Sequence, residues 1–409
     1  WYGHLLSSNG VWIYLISSQW LIFKLTDSPA WLGAIGFAYL APLLFFGPLA
    51  GAIADRFGQQ RVAIISLAIG ILLSTLVAIV IAFGKLSPPL MLTFTIIQGI
   101  FFAFDFPSRQ ALIPKLVRSS DISAAIGMNT TTYNTASFTG PIIGGAILAL
   151  GNETINDIAG AALGYAVFAF ANCFLLLGII RVKITSFSDN QEQSKQVVSS
   201  IIQDLKSGLW YVIQSKHMMA LMGLSLFLSF CLRSYQYLMA GFAENLFNLD
   251  EQGLGNLFAA KGIGALLVAL FFTGRGRTQG LTKVCIYGGV LLALALMFFV
   301  SMKYLPLILF TAAIVGGAVV ATDLGTMTLI QNIVEEKYRA RVISIALAIT
   351  VGVPAFGSLG IGFLAEFTGL QLAITLSAGS AICAILFIGK QILRVSSEIE
   401  ATQRRTSSN

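Results

Sequence analysis

The sequence predicts an all-α membrane protein with twelve transmembrane helices in two pseudo-symmetric six-helix bundles. Composition is the first reason. Of 409 residues, 56% are apolar and only 11% charged, against about 45–50% and about 25% in soluble domains. Mean hydropathy is +0.83. The second reason is length: the apolar residues run in blocks such as 31–53 and 281–301, and about 20 residues at 1.5 Å each cross a hydrocarbon layer of about 30 Å. The third is division, because one long hydrophilic stretch, 182–216, leaves six blocks on either side. A soluble multidomain enzyme, a disordered regulator and a nucleic-acid-binding domain are all excluded.

In order, the helices are expected near 5–24, 31–53, 61–83, 88–109, 122–150 and 157–181, then 217–243, 251–273, 281–301, 305–331, 341–365 and 369–390. Turn chemistry separates them: Asp27-Ser28-Pro29, Gly84 through Pro89, Gly274-Arg275-Gly276 and Lys303-Tyr304 carry the breakers and charges. The domains follow as 1–181 for the N-terminal bundle, 182–216 for a cytoplasmic linker, 217–390 for the C-terminal bundle and 391–409 for a cytoplasmic tail. Within the linker, Val197, Val198, Ile201, Ile202, Leu205, Leu209 and Val212 have helical spacing, as in an amphipathic helix lying on the membrane surface.

Charge orients the chain. With both termini cytoplasmic, the inside segments hold 20 of the 25 Lys and Arg, and the outside loops hold three: Lys24, Lys85 and Lys303. That asymmetry is the positive-inside pattern of a plasma (inner) membrane protein, and it explains the net charge of +7 without a nucleic-acid partner. The four cysteines lie far apart in apolar blocks, and His4 and His217 sit at block ends. Neither a metal site nor a cofactor is expected. The sequence opens on Trp1 rather than Met, so further residues are expected before it.

Gln110–Gly145 aligns on Met327–Gly362 without a gap, matching Val117 with Val334, Gly140 with Gly357 and Gly145 with Gly362. With the six-plus-six count, this argues for two homologous halves related by an axis along the membrane normal, an arrangement common in secondary transporters.

The run Gly51-Ala52-Ile53-Ala54-Asp55-Arg56-Phe57-Gly58-Gln59-Gln60-Arg61 resembles the signature loop of the major facilitator superfamily, with Gln59 and Gln60 where that pattern has basic residues. Trp20 to Ser28, Phe104-Asp105-Phe106-Pro107-Ser108-Arg109, Asn134 through Pro141 and Gln331 through Val342 are similar to the drug and siderophore exporter branch that includes the enterobactin exporter and macrolide efflux proteins. In the fifth helix that branch carries Arg where this chain has Ser137. The resemblance spans nearly the whole chain. It implies the major facilitator fold and an energy-coupled exporter, and it leaves the cargo open.

Ionisable groups inside spans are functional-site candidates because they are costly there. Arg233 and Lys261 lie within helices seven and eight, with Tyr237 on the Arg233 face. They form either an ion pair between packed helices or a basic wall suited to an anionic cargo. Asp105 and Asp323 lie near the ends of helices four and ten at nearly repeat-related positions. Each is either a proton-coupling acid or a gate salt bridge, with Arg109 one turn from Asp105. Asn9, Trp12, Gln19, Asn129, Tyr133 and Asn134 are candidates for the cargo cavity. The gate candidates are Gly51, Asp55, Arg56, Gly58, Arg61, Arg109, Arg339 and Arg341, since a carboxylate at a helix end can meet a neighbouring helix N-terminus or an arginine.

The expectation is a secondary-active exporter of an amphipathic, anionic or drug-like small molecule, working as a proton antiporter by alternating access and acting as a monomer. Its partners are the cargo, protons and the bilayer. Uptake, or movement of a lipid or lysolipid, is the alternative. A membrane-embedded enzyme is disfavoured, since no HExxH, P-loop or nucleophile–base constellation is present.

Overall fold

The computed structural model describes residues 1–154, 158–182, 197–275 and 280–394. Linker residues 183–196, with Lys183 and Lys195, and tail residues 395–409, with Arg404 and Arg405, lie outside the described residues. The long helices are α1 (Tyr2–Thr26), α2 (Pro29–Phe57), α3 (Gln59–Ala82), α4 (Pro88–Leu112), α5 (Ile122–Thr154) and α6 (Ala159–Arg181). After α7 (Val197–Gln214) come α8 (Lys216–Leu228), which runs on through α9 (Met239–Gly241) to Leu246, then α10 (Glu251–Arg275), α11 (Leu281–Ser301), α12 (Leu305–Ile333), α13 (Arg339–Thr368) and α14 (Leu370–Arg394).

The ends follow from local chemistry. Ser28 caps α2 by accepting from the Trp31 N–H at 3.4 Å, with Pro29 at the first helical position, where its missing N–H costs nothing. Gly58, at φ 91°, divides α2 from α3 in a backbone conformation that a side chain would strain.

Among the described residues, ten helices are long and apolar enough to cross a membrane. The helices α1 and α5 have the length but are more polar. In α1 the polar side chains Ser7, Ser8, Ser17, Ser18 and Gln19 are buried against neighbouring helices and kept from lipid. In α5 the polar face behaves differently: Thr130 and Thr131 are exposed and Tyr133 is 48% exposed. Elsewhere the outer surface carries the apolar belt a bilayer requires, including Leu72, Phe170, Leu267, Phe310, Phe363 and Phe387.

Contacts divide the chain into two compact units, Trp1–Ser199 with Met239–Ala259, and Ser200–Leu238 with Ala260–Asn409. In the first unit, α1 packs on α5 and α6, α3 on α4 and α6, and α2 on α4. Small residues permit the close crossings: Gly164 sits against Ser17, and Gly99 against the Ala38 and Tyr39 carbonyls. In the second unit, α11 packs on α12 and α14, and α13 on α14 and the middle of the seventh helix. Gly264 and Gly316 bring α10 and α12 into backbone contact.

The seventh membrane helix departs from the unbroken helix expected over 217–243. Ser229–Arg233 is a π-helical turn, Ser234–Leu238 is 3₁₀ and Phe242–Leu246 is again π-helical. Side chains take up carbonyls along the irregular stretch: Ser234 Oγ donates to Phe230 O at 2.8 Å and Ser377 Oγ to Cys231 O at 2.7 Å. Gly357 of α13 lies directly on the Phe230 carbonyl and the Ser234 hydroxyl. Such turns recur at functional sites because they re-aim side chains.

Within the segment 182–216, Val197–Gln214 is helical as α7. Gly208 lies on Arg341, Tyr211 stacks on Tyr338 at 4.5 Å, and Leu209, Trp210 and Ile213 face outward.

Candidate functional site

The end of the π turn delivers Arg233 to Asp323 of α12, and the two form an ion pair. Arg233 Nη1 also donates to the Thr350 carbonyl of α13 at 3.3 Å, so one guanidinium ties three helices together. One turn further, Lys261 Nζ of α10 donates to Gln236 Oε1 at 2.6 Å and lies 5.7 Å from the Tyr235 ring centroid. Tyr237 is buried. Of the two arrangements expected for Arg233, an ion pair between packed helices is the one present. Its acid is Asp323, 90 residues away, a distance no spacing rule spans.

In the first unit, Arg109 Nη2 meets Asp105 Oδ2 at 2.6 Å across one turn of α4. Pro107 lies between them, and Ser108 Oγ donates to Phe104 O. His4 of α1 interacts electrostatically with Arg109 and shares a hydrogen bond with Asn129. Each unit therefore has an acid–arginine pair in its long helices, built differently: within one helix in the first, between two helices in the second.

The polar candidates divide. Asn9 is committed inside its bundle, donating to Leu5 O and accepting from Thr139 Oγ1 at 2.7 Å. The Asn134 carbonyl accepts from the Ser137 hydroxyl at 2.7 Å. Trp12 packs 6.1 Å from Tyr133 and 6.3 Å from Phe258. Gln19 is buried with neither amide atom hydrogen-bonded. Asn129 donates to Gln110 and, with Tyr133, extends the polar face of α5.

Of the gate candidates, Gly51 lies within α2, and Arg56 lies 5.4 Å from the Phe57 ring centroid beside Gly58. Arg61 is exposed in the first turn of α3. The Asp55 side chain lies outside the described residues. Arg339 begins α13, and Arg341 donates to Ser207 Oγ at 2.9 Å and faces the Tyr338 ring, so α7 engages it.

Two features escaped the sequence reading. Gln60 Nε2 donates to both Ile179 O and Val182 O at 2.7 Å, closing the C-terminus of α6. A neutral amide here does capping work that its place in a charged loop did not suggest. The segment Met239–Ala259 is tied down by Lys24–Glu244 at 2.6 Å, Asn245 to Asp27 at 3.0 Å and Asn152 to Glu251 at 2.6 Å, with Gly255 against Gly145. The opposite charges of Lys24 and Glu244 were visible, but their proximity was not.

A helical membrane chain carrying arginine–carboxylate pairs within its spans, on this fold, is a transporter of the major facilitator superfamily and not an enzyme. The chain matches the transmembrane secretion effector family over residues 1–408 and belongs to it. It is 28% identical over 142 residues to the staphyloferrin A transporter of Staphylococcus aureus, a match covering 34% of this chain and only 36% of that protein. It is 22% identical to the multidrug efflux pump Tap of Mycolicibacterium fortuitum, covering 90% of this chain and 88% of that one. Among solved structures, the nucleoside transporter NupG superposes with a TM-score of 0.72 at 16% identity, covering 94% of this chain and 98% of that one. An inward-facing bacterial homologue of the iron transporter ferroportin gives 0.68 at 15%, covering 95% and 97%. At such identities the structures establish the fold alone.

Proposed function

We propose that the protein is a proton-coupled exporter of an amphipathic small molecule, of the drug or siderophore class that its relatives' names indicate. It sits in the plasma (inner) membrane as a monomer, with both termini inside, bundles at 1–181 and 217–390, and cargo and protons taking turns. The observation that carries this reading is the Arg233–Asp323 pair. The pair is part-buried, and removing one charge leaves the other without its partner, so protonating Asp323 releases Arg233 and loosens the tie among three helices.

The pair also assigns roles to its neighbours. Hydrogen-bond donors of the cargo bind the ionised Asp323 and compete with the proton, which is the logic of exchange. An anionic part of the cargo is drawn to the charge of Lys261, which donates to Gln236. In the first unit, the exposed polar face of α5 with Asn129 and Tyr133, and Trp12 beside it, are cargo-facing by a separate argument, since a polar face at membrane depth needs water or cargo. Asp105 with Arg109 supplies a second titrating pair, and Gly51 to Arg61 in the first unit and Arg339 and Arg341 in the second are gating residues.

The test uses proteoliposomes with an imposed pH gradient. Asp323→Asn should abolish cargo-driven proton movement while cargo still binds. Wild-type proton coupling in this variant would overturn the reading.

A further inference from the structure

A small pocket lies in the first unit among α1, α2, α3, α4 and α6, lined by Ser66, Gln98, Asp105, Arg109 and Asn172. Gln98 is 8% exposed and Asp105 6%. Gln98 Oε1, Asp105 Oδ1 and Arg109 Nε are all buried without a hydrogen-bond partner. Two acceptors and one donor thus share one pocket, whereas buried polar groups in proteins are almost always satisfied. Gly70 keeps the space open, since a Cβ there would stand 3.1 Å from Gln98 Nε2.

Volume selects the occupant. The space available to water centres is about 30 Å³, and one water needs about 10–15 Å³. Space of that size suits water. Arg109, 2.6 Å from the Asp105 carboxylate, disfavours a metal cation beside it.

We propose that this pocket is a hydration site whose water bridges Asp105, Gln98 and Arg109 and carries protons to and from Asp105 within the N-terminal helices, apart from any cargo. The role of the water rests on the reading of Asp105 as a coupling acid. The step is balanced: a hydronium at Oδ1 gives its proton to the carboxylate, leaving a neutral acid and a water, and Arg109 loses its charged partner. The other titratable groups facing this region are Tyr39 on α2 and His4 on α1, while α3 and α6 present Ser66 and Asn172.

Radiolytic hydroxyl labelling with mass spectrometry tests it on the intact protein in nanodiscs, because side chains beside bound water are labelled despite burial. Tyr39, 7% exposed on the pocket wall, should label several-fold faster than Tyr165, 2% exposed and bonded to Ser18. Gln98→Leu should erase that excess and slow cargo-driven proton flux. Gly70→Ala should reduce both, and it carries the comparison where Gln98→Leu does not insert. Equal labelling of Tyr39 and Tyr165 in the wild type, or an excess unchanged by both substitutions, overturns the hydration site. Replacing sodium by choline should leave flux unchanged, and a loss would make the occupant a cation and overturn it. Labelling of Tyr39 with wild-type flux in Asp105→Asn would instead sink the coupling role while leaving the water in place.

Discussion

At the scale of single residues, the strongest claim concerns the Arg233–Asp323 pair. Desolvation makes each buried charge costly, and the partner offsets most of that cost. The pair is part-buried, so Asp323→Leu, which strands the guanidinium with the Thr350 carbonyl, is expected to destabilise the protein by about 1–3 kcal/mol, whereas Arg233→Met with Asp323→Leu should recover most of the loss. Thermal melting of the detergent-purified single and double variants measures this, and equal losses in both would show that the pair is not coupled. The exposed Lys24–Glu244 pair is a contrast, because ion pairs of that kind contribute about 0–1 kcal/mol. Arg233, Lys261, Asp105 and Asp323 were legible as candidates because charges stand out in apolar blocks. Their pairing was less so: Asp105–Arg109 could be read from a one-turn spacing, but Arg233–Asp323 depends on how two helices pack.

At the scale of elements, helix positions were legible because apolar blocks and turn residues are local properties, and Ser28-Pro29 and Gly58 mark ends where the chain does turn. The broken geometry of the seventh helix was not legible. Nothing in Ser229–Leu238 forbids an α-helix; the irregularity goes with contacts from Ser377 and Gly357, far along the chain. Gly357→Ala should therefore be damaging. Its Cβ would collide with the Phe230 carbonyl and the Ser234 hydroxyl, and the backbone member of that pair cannot rotate away. Overpacking of this kind costs about 1–3 kcal/mol. Gly379→Ala is the control, since a Cβ there meets nothing within 4 Å. A melting temperature lowered by Gly357→Ala and unchanged by Gly379→Ala is the expected outcome. Equal melting of the two would show that the seventh helix does not depend on this contact.

At the scale of the whole molecule, the polar character of α1 and α5 and the distribution of basic residues belong to one argument. A membrane chain places polar side chains where helices or water satisfy them, and places Lys and Arg where the membrane potential and insertion machinery leave them. The apolar blocks made the all-helical membrane fold readable without any long-range contact. Sidedness has only the loop charges to specify it: the proposed orientation puts 20 basic residues inside against three outside. Four exposed lysines provide the test: Lys85 and Lys303 at connections proposed to lie outside, and Lys216 and Lys390 at helix ends proposed to lie inside. In a background with Cys173, Cys231, Cys285 and Cys383 replaced by serine, Lys85→Cys and Lys303→Cys should react with an impermeant maleimide on intact cells. Lys216→Cys and Lys390→Cys should react only after permeabilisation. The charge bias makes this pattern the expected one, because short loops rich in Lys and Arg resist translocation while their acidic residues contribute little. The opposite pattern would invert the orientation and, with it, the direction in which the proton gradient drives the cargo.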